Sequence, residues 1–353
     1  MAKVKHDLTQ TRKTFRLIGK VVGVTSKNYY QETTTKSGRS MRIINFGIET
    51  STTNKIFVQL LGTENDKVYF SKKNEETGKW DTEEVAWSDR VKFDKDGYRL
   101  TGAVNVGLQR ALDASGRESN VNQHLTPFDA CKAIKNNLTD GARVFVKGTK
   151  DVSTYLDKEN NTRVSVKLTI DQISLCSDQD SETPEEADID YSDIANIPNV
   201  FEDTVIYESI KQDSDSTADN FSATVTTIHV GYDNICEIDY KVRNPKLAKI
   251  MKERMKPYNA IKISGIIVNN AIVKEEDDDG WGISDSSKKV TDYQKEYTIM
   301  RCEGSSLDTT SYSKENIEKA KASLLEFNSN DKADGVPAPV IKSSDVAEED
   351  DLW

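Results

Sequence analysis

Histidine is almost missing from this chain: three residues in 353, and His6, His124 and His229 lie far apart. Imidazole is the usual ligand of catalytic zinc and the usual proton shuttle near neutral pH, so its scarcity narrows the available chemistry. Cysteine is scarce too. Cys131, Cys176, Cys236 and Cys302 are widely spaced and form no Cys-x-x-Cys pair. They read as buried thiols of a cytosolic protein, not as a disulfide framework or a zinc site. No apolar run approaches the ~20 residues of a membrane span. Met1 to Lys20 carries basic residues but no apolar core, so no secretion signal is expected. There is no phosphate-binding Gly-x-x-x-x-Gly-Lys-Ser/Thr loop, no Gly-x-Gly-x-x-Gly, no His-Glu-x-x-His and no Gly-x-Ser-x-Gly. The densest carboxylate run is Glu275 to Asp279. Consecutive acids do not converge on one metal ion, so this run reads as a solvated loop. The expectation is a non-enzymatic protein without cofactor, metal or membrane partner.

What is present is charge, unevenly spread. The net charge is -11, from 48 basic and 59 acidic residues. Residues 1–175 nevertheless hold 29 Lys and Arg against 21 Asp and Glu, while the remainder hold 19 against 38. The first sixty residues carry 11 basic and 3 acidic side chains. A basic working half followed by an acidic regulatory half is the natural reading.

The basic half has the rhythm of strands. Phe15–Val24, Met41–Glu49 and Lys55–Leu61 are β-rich and partly alternating, with a polar turn expected at Thr33–Ser40. Residues 64–110 read as an insertion of hairpins around Lys67–Lys73, Lys79–Trp87 and Tyr98–Gly102. Thr126-Pro-Phe-Asp129 then supplies a capping residue, a proline at the first helical position and an acid in the first turn. Phe128, Cys131, Ile134 and Leu138 recur at helical spacing, and Gly141 is the expected stop. Strands at 142–148 and 162–175 follow. Three strands, a helix and two strands is the order of a five-stranded OB barrel. The acidic half repeats the plan: strands at 204–210, 221–230 and 234–242, a proline-led helix at 245–255, and strands at 260–265 and 296–302. An amphipathic helix at 313–327 and a polar, proline-bearing end follow.

The expected fold is therefore mainly β. It comprises two OB-like five-stranded barrels, each with a helix between strands three and four, plus a C-terminal helix and a disordered acidic tail. The expected boundaries are 12–176 for a DNA-binding domain with a hairpin insertion, 177–199 for an acidic linker, 200–328 for the second barrel and its helix, and 329–353 for the tail.

Bases of a single strand stack on aromatic rings while Lys and Arg track its phosphates. The amino-terminal half interleaves both types, so Arg16, Lys20, Lys27, Tyr29, Tyr30, Arg39, Arg42, Lys55, Tyr69, Lys72, Lys73, Trp80, Trp87 and Arg99 are candidate DNA contacts. Phe46 and Phe57, inside strands, are expected in the core. Trp80 and Trp87 either cover a bound strand or pin the insertion to the barrel. The basic helix near Lys246–Lys256 reads as a solvated face.

The chain ends Glu348-Glu-Asp-Asp-Leu-Trp353. Together with the barrel pattern, this end resembles the acidic tip of single-stranded-DNA-binding proteins with OB folds, phage replication proteins of that class included. The resemblance implies sequence-independent binding and protection of single-stranded DNA in replication, recombination or repair. It also implies recruitment of replication or recombination proteins through Asp350, Asp351, Leu352 and Trp353, where two apolar residues suit a pocket and the acids suit a basic rim. The location implied is cytoplasmic, in a bacterial host for a phage-encoded member. The end differs from the Pro-Phe of bacterial tetrameric members, which leaves oligomeric state open. Rival readings are an RNA-binding OB module, a structural assembly protein and a metal-dependent nuclease using Asp277 to Asp279.

Overall fold

The computed structural model describes residues 6–112, 116–159, 161–274 and 290–333. The chain divides into two compact units. One consists of Arg16–Thr149 and Leu168–Ile189 and is called the amino-terminal unit here; the other takes residues 1–15, 150–167 and 190–353.

The elements run β1 (Lys13–Val22), β2 (Tyr30–Thr34), β3 (Ser40–Glu49), β4 (Lys55–Thr63), β5 (Lys67–Lys73), β6 (Trp80–Ala86), β7 (Arg99–Leu100), β8 (Val104–Leu112), β9 (Glu118–Leu125), α1 (Pro127–Asn137), β10 (Arg143–Leu156) and β11 (Thr162–Leu175). In the amino-terminal unit β1 pairs antiparallel with β3 through Lys20↔Glu49, and β3 with β4 from Met41↔Thr63 to Glu49↔Lys55. Strand β11 runs parallel to β4 at Thr169↔Gln59, and β10 lies between β11 and β1. These pairings close an OB barrel, with α1 between its third and fourth strands.

The core follows from strand alternation. Val21, Leu17, Ile44, Phe46, Ile48, Ile56, Val58 and Leu60 point inward and are buried. Each such aliphatic side chain contributes roughly 1.5–3 kcal/mol. Helix α1 plugs the barrel with Phe128, Ala130, Cys131 and Ile134, as its spacing predicts. The Thr126 hydroxyl accepts from the Asp129 amide at 3.2 Å, a cap worth about 1 kcal/mol. Gly62 lets the helix approach, because a Cβ there would lie 2.1 Å from the Phe128 nitrogen.

The other unit is built from β12 (Asn199–Gln212), β13 (Ala223–Val230), β14 (Ile235–Val242), α2 (Pro245–Arg254), β15 (Ala260–Lys274), β16 (Val290–Asp308) and α3 (Lys314–Ala333). Strand β12 pairs with β13 and β15, β13 with β14, and β15 with β16, all antiparallel. Strand β14 meets β16 in parallel at Lys241↔Thr298. This is the same barrel permutation, again with the helix between strands three and four. Helix α3 packs through Ile317 against Ile206, Ile228 and Val230.

Three details differ from the sequence reading. The stretch expected to be a turn, Thr33–Ser40, contributes its first two residues to β2, and the turn itself is Thr35–Arg39, closed by Thr35 N–H to Arg39 O at 2.8 Å. The inserted sheet ends by Leu100, and residues up to 125 form an unexpected hairpin, β8–β9, which joins β11 in parallel. Helix α1 stops at Asn137, and Gly141, at φ +81°, serves the following turn.

A buried charge cluster lies inside the carboxy-terminal unit. Lys150 Nζ sits 2.6 Å from Asp203 Oδ2, with both side chains essentially inaccessible. It is a close ion contact, without the alignment of a hydrogen bond. The Lys13 ammonium donates to the Tyr240 hydroxyl at 3.1 Å, and that hydroxyl donates to Asp203 at 2.6 Å. Phe201, Tyr240 and Tyr297 surround the Lys150 ammonium, with the Tyr297 ring centre 3.9 Å away. Burial lowers both lysines, Lys13 to about 8, against the attraction of Asp203.

Candidate nucleic-acid interface

The parity that buries Ile56, Val58 and Leu60 turns Phe57 and Leu61 outward. They are 41% and 45% exposed. On the facing strand they oppose Gly47 and Ile43, with Asn45↔Gln59 between them. Exposed rings and aliphatics on the outer face of OB strands two and three are a surface that water does not reward.

This face runs into an open groove of about 590 Å³, bordered by Leu61 and Thr63 of β4, by Arg39, and by Lys67 and Tyr69 of the inserted sheet. Its cations are held in exposed ion pairs, Arg39 with Asp66 and Lys67 with Glu84, each at 2.7 Å. Such pairs contribute little and exchange partners readily. A phosphate entering the groove would therefore meet two available cations.

The inserted sheet has two unlike faces. Val68, Phe70, Val85 and Leu100 point one way and pack with Trp87, Phe93 and Phe128. Lys67, Tyr69, Ser71 and Lys73 point the other way, opposite Ala86, Glu84, Thr82 and Trp80 respectively, and Arg99 sits opposite Ser71. Tyr69 is 43% and Trp80 66% exposed. The sheet is fastened to α1 by a two-pronged pair, Arg90 Nε–Asp129 Oδ2 at 2.8 Å and Arg90 Nη2–Asp129 Oδ1 at 2.9 Å. Burial works against the Asp129 carboxylate, but the hydrogen bonds from Arg90 and Thr126 outweigh it and hold that carboxyl below its usual range.

The residues singled out from sequence fall into three groups. Arg39, Tyr69, Lys73, Trp80 and Arg99 come together along the groove and the outer face of the inserted sheet. Arg16 and Lys20 are half-buried outward positions of β1, Lys27 is exposed in the β1–β2 loop, and Lys55 pairs with Glu49 at 3.4 Å. The rest have their rings or charges engaged within the protein. Tyr29 is inside the barrel, its ring edge-on to Phe46. Burial is the main cause that pushes its phenol pKa up. Trp87 is buried and edge-on to Phe128, so of the two roles weighed for it, pinning is the one it fills. Tyr30 is half-buried, with the Lys135 ammonium 4.2 Å over its ring. Arg42 covers the Phe128 ring at 3.7 Å and bonds Glu32, which commits it to holding α1. Lys72 is turned to the other face and donates to Asp96 O at 3.1 Å. Asp350, Asp351, Leu352 and Trp353 lie outside the described residues, as do Glu275–Asp279.

Sequence reasoning missed Phe57, which it assigned to the core, together with Leu61 and Lys67. Strict alternation from Lys55 would have found the first two, since Lys55, Phe57, Gln59 and Leu61 share one parity.

A family model described as YorF matches residues 13–334. The chain belongs to the YorF family. No curated protein matches it. Among solved structures, the YorF-family chain is similar to the wild-type single-stranded DNA binding protein from Thermus aquaticus. Identity is 11% and the TM-score 0.38, covering 84% of this chain and 93% of that one. An internal-deletion mutant of the same protein matches at 11% and 0.38, covering 83% and 94%.

The YorF-family chain carries a useful internal contrast. On the carboxy-terminal barrel, the outer positions of the equivalent strands pair Thr224 with Lys241 and Thr226 with Asp239, while Ile228, opposite Glu237, is buried with Ile317 of α3. Lys241 is taken by Asp213 at 2.8 Å. Burial disfavours the Asp213 carboxylate, yet hydrogen bonds from Lys241, Ser222 and Thr224 bring it down to about 2. That face is polar and carboxylate-bearing and shows no exposed aromatic ring among these positions. Among the described residues no helix is long and apolar enough to cross a membrane, and no three His, Cys, Asp or Glu converge as a metal site.

Proposed function

We propose that the amino-terminal barrel binds single-stranded DNA without sequence preference. One observation carries the reading: Leu61 and Tyr69 are exposed on a groove bordered by Arg39 and Lys67, and Phe57 is exposed on the same face of β4. Rings accept any base by stacking, and cations neutralise phosphates of any sequence. The work is mass action. Binding the open strand shifts the duplex equilibrium and shields the strand during replication or recombination, and no bond is made or broken. The carboxy-terminal barrel, whose matching face carries no exposed ring among the positions described, is read as structural or partner-binding. Recruitment of other replication proteins through Asp350–Trp353 rests on the sequence pattern alone.

The test is a titration with end-labelled oligo-dT at two salt concentrations, against matched duplex and RNA. Single-stranded DNA should bind most tightly. For two phosphates neutralised by Arg39 and Lys67, the slope of log K against log salt should be about -1.4. Phe57→Ala should weaken binding roughly tenfold, since stacking on one ring is worth ~1–3 kcal/mol. No binding at low salt, with Glu348–Trp353 removed to free any tail-blocked groove, would sink the proposal. Equal preference for RNA would move it to an RNA-binding module.

A further inference from the structure

We infer that the outer face of the inserted β5–β7 sheet is a second, fixed stacking platform, which extends the binding track past the barrel and makes tight binding depend on strand length. The inference rests on the single-strand reading above and deepens it.

Its first support is the division of labour within the insertion. One face is spent on anchoring: Phe70 and Trp87 meet Phe128, and Arg90 grips Asp129 from both oxygens. A sheet clamped to the barrel helix by a core and a bidentate pair is a wall, so it need not be ordered when a strand arrives. Binding then avoids the entropic cost of fixing a mobile segment. The second support is what the opposite face offers. Tyr69 and Trp80 are the exposed rings, and Lys73 and Arg99 stand beside them without an ion pair among the described residues. A two-thirds exposed tryptophan at a hairpin end costs solvation free energy in the free protein and has no packing role that its register suggests. The third support is continuity. Lys67 and Tyr69 open on the same groove as Leu61, and the register carries the face onward from Tyr69 to the Lys73↔Trp80 pair.

The track has a measurable length. Phe57 to Leu61 is four steps along a strand, and Tyr69 to Lys73 is another four, each about 13 Å at the rise of a strand. Two such segments, joined across the groove, exceed about 26 Å. A stacked strand with ~3.4 Å between phosphates needs about eight nucleotides to reach from one end to the other. A strand of about four nucleotides can occupy the barrel face but cannot also reach Trp80.

The experiment compares end-labelled oligo-dT of about four and about twelve nucleotides by anisotropy. The proteins are the full chain, Trp80→Ala and Lys73→Glu, with Phe57→Ala as the barrel-face reference. The longer strand should bind wild type far more tightly. Trp80→Ala and Lys73→Glu should each weaken it roughly tenfold and leave the short strand unchanged, while Phe57→Ala weakens both. Equal affinity for the two lengths, unchanged affinity of the variants for the longer strand, or equal losses on both lengths would overturn the platform and leave the barrel-face reading standing. If neither strand binds wild type at low salt, both readings fall together.

Discussion

At the scale of the residue, the sharpest physical demand is made by Asp203. It is a single buried carboxylate in contact with Lys150 and linked through Tyr240 to Lys13. Removing one partner of a buried ion pair strands the other charge, which costs roughly 3–5 kcal/mol. Asp203→Asn should therefore lower the urea midpoint of the carboxy-terminal unit steeply, and a change within measurement error would show that the lysines are hydrated. His229 makes a second prediction. Its ring is buried beside Thr11, 2.9 Å from the hydroxyl, and burial first, then the neighbouring Lys13, lowers it to about 3 from 6.5. Between those two values the unfolded chain binds a proton that the folded chain refuses. The stability present above pH 6.5 is thus lost progressively as pH falls toward 3, by up to about 4 kcal/mol for a shift of this size. Denaturant midpoints at neutral pH and near pH 4 should differ for the native chain and converge for His229→Gln. Parallel behaviour of the two proteins would refute the assignment.

At the scale of the element, the insertion tests how far sequence can carry such an account. The cap Thr126-Pro-Phe-Asp129 announced α1, and the order of strands around it announced the barrel, because capping and alternation are local. The phase of an alternation is less local. Phe57 looks like core until the partner strand shows which parity faces α1. Likewise Tyr29 and Trp87 look like ring platforms until tertiary packing claims both faces. The β8–β9 hairpin was hidden because its second strand is almost entirely exposed and polar, so no hydrophobic period marks it. The Arg90–Asp129 clamp is equally invisible in sequence, since its members are 39 residues apart. Breaking it with Arg90→Ala should leave the barrel folded. Amide exchange in β5 and β6 should rise at least tenfold, because the half-buried pair no longer ties the sheet to α1. Unchanged protection would mean the aromatic core holds the insertion unaided.

At the scale of the molecule, the two barrels share a plan and differ in the surfaces they present. The amino-terminal one presents Phe57 and Leu61 on the outer face of its third strand, while the carboxy-terminal one has Thr224 and Thr226 opposite Lys241 and Asp239 at the matching face. The charge asymmetry along the sequence runs in the same direction as this difference of surfaces. It did not foretell how the second unit is assembled. That unit takes in residues before Arg16 and the Lys150–Lys167 hairpin as well as everything after Asp190. A segment covering residues 190–333 alone should fail to fold. It would lack Lys13 and Lys150, and Asp203 would be left buried without a cation. A cooperative thermal transition in that segment would contradict this.

The Tyr312 hydroxyl donates to the Thr9 carbonyl at 2.9 Å across 303 residues of chain. On a ribosome, which adds about 5–20 residues each second, the segment around Thr9 that leads into β1 emerges some 15–60 seconds before Tyr312 exists. The sheet its neighbours join is made sooner, since Thr204 N–H donates to Arg12 O and Thr11 N–H to Val230 O. The amino-terminal barrel can close in the meantime, since its own pairings span a shorter reach, but the leading arm stays unpaired until β12 and β13 have been made and lacks its Tyr312 contact until almost the whole chain has been made. Early termination of synthesis would then leave a finished first barrel bearing a loose basic arm, a species whose lifetime is set by translation and not by thermodynamics.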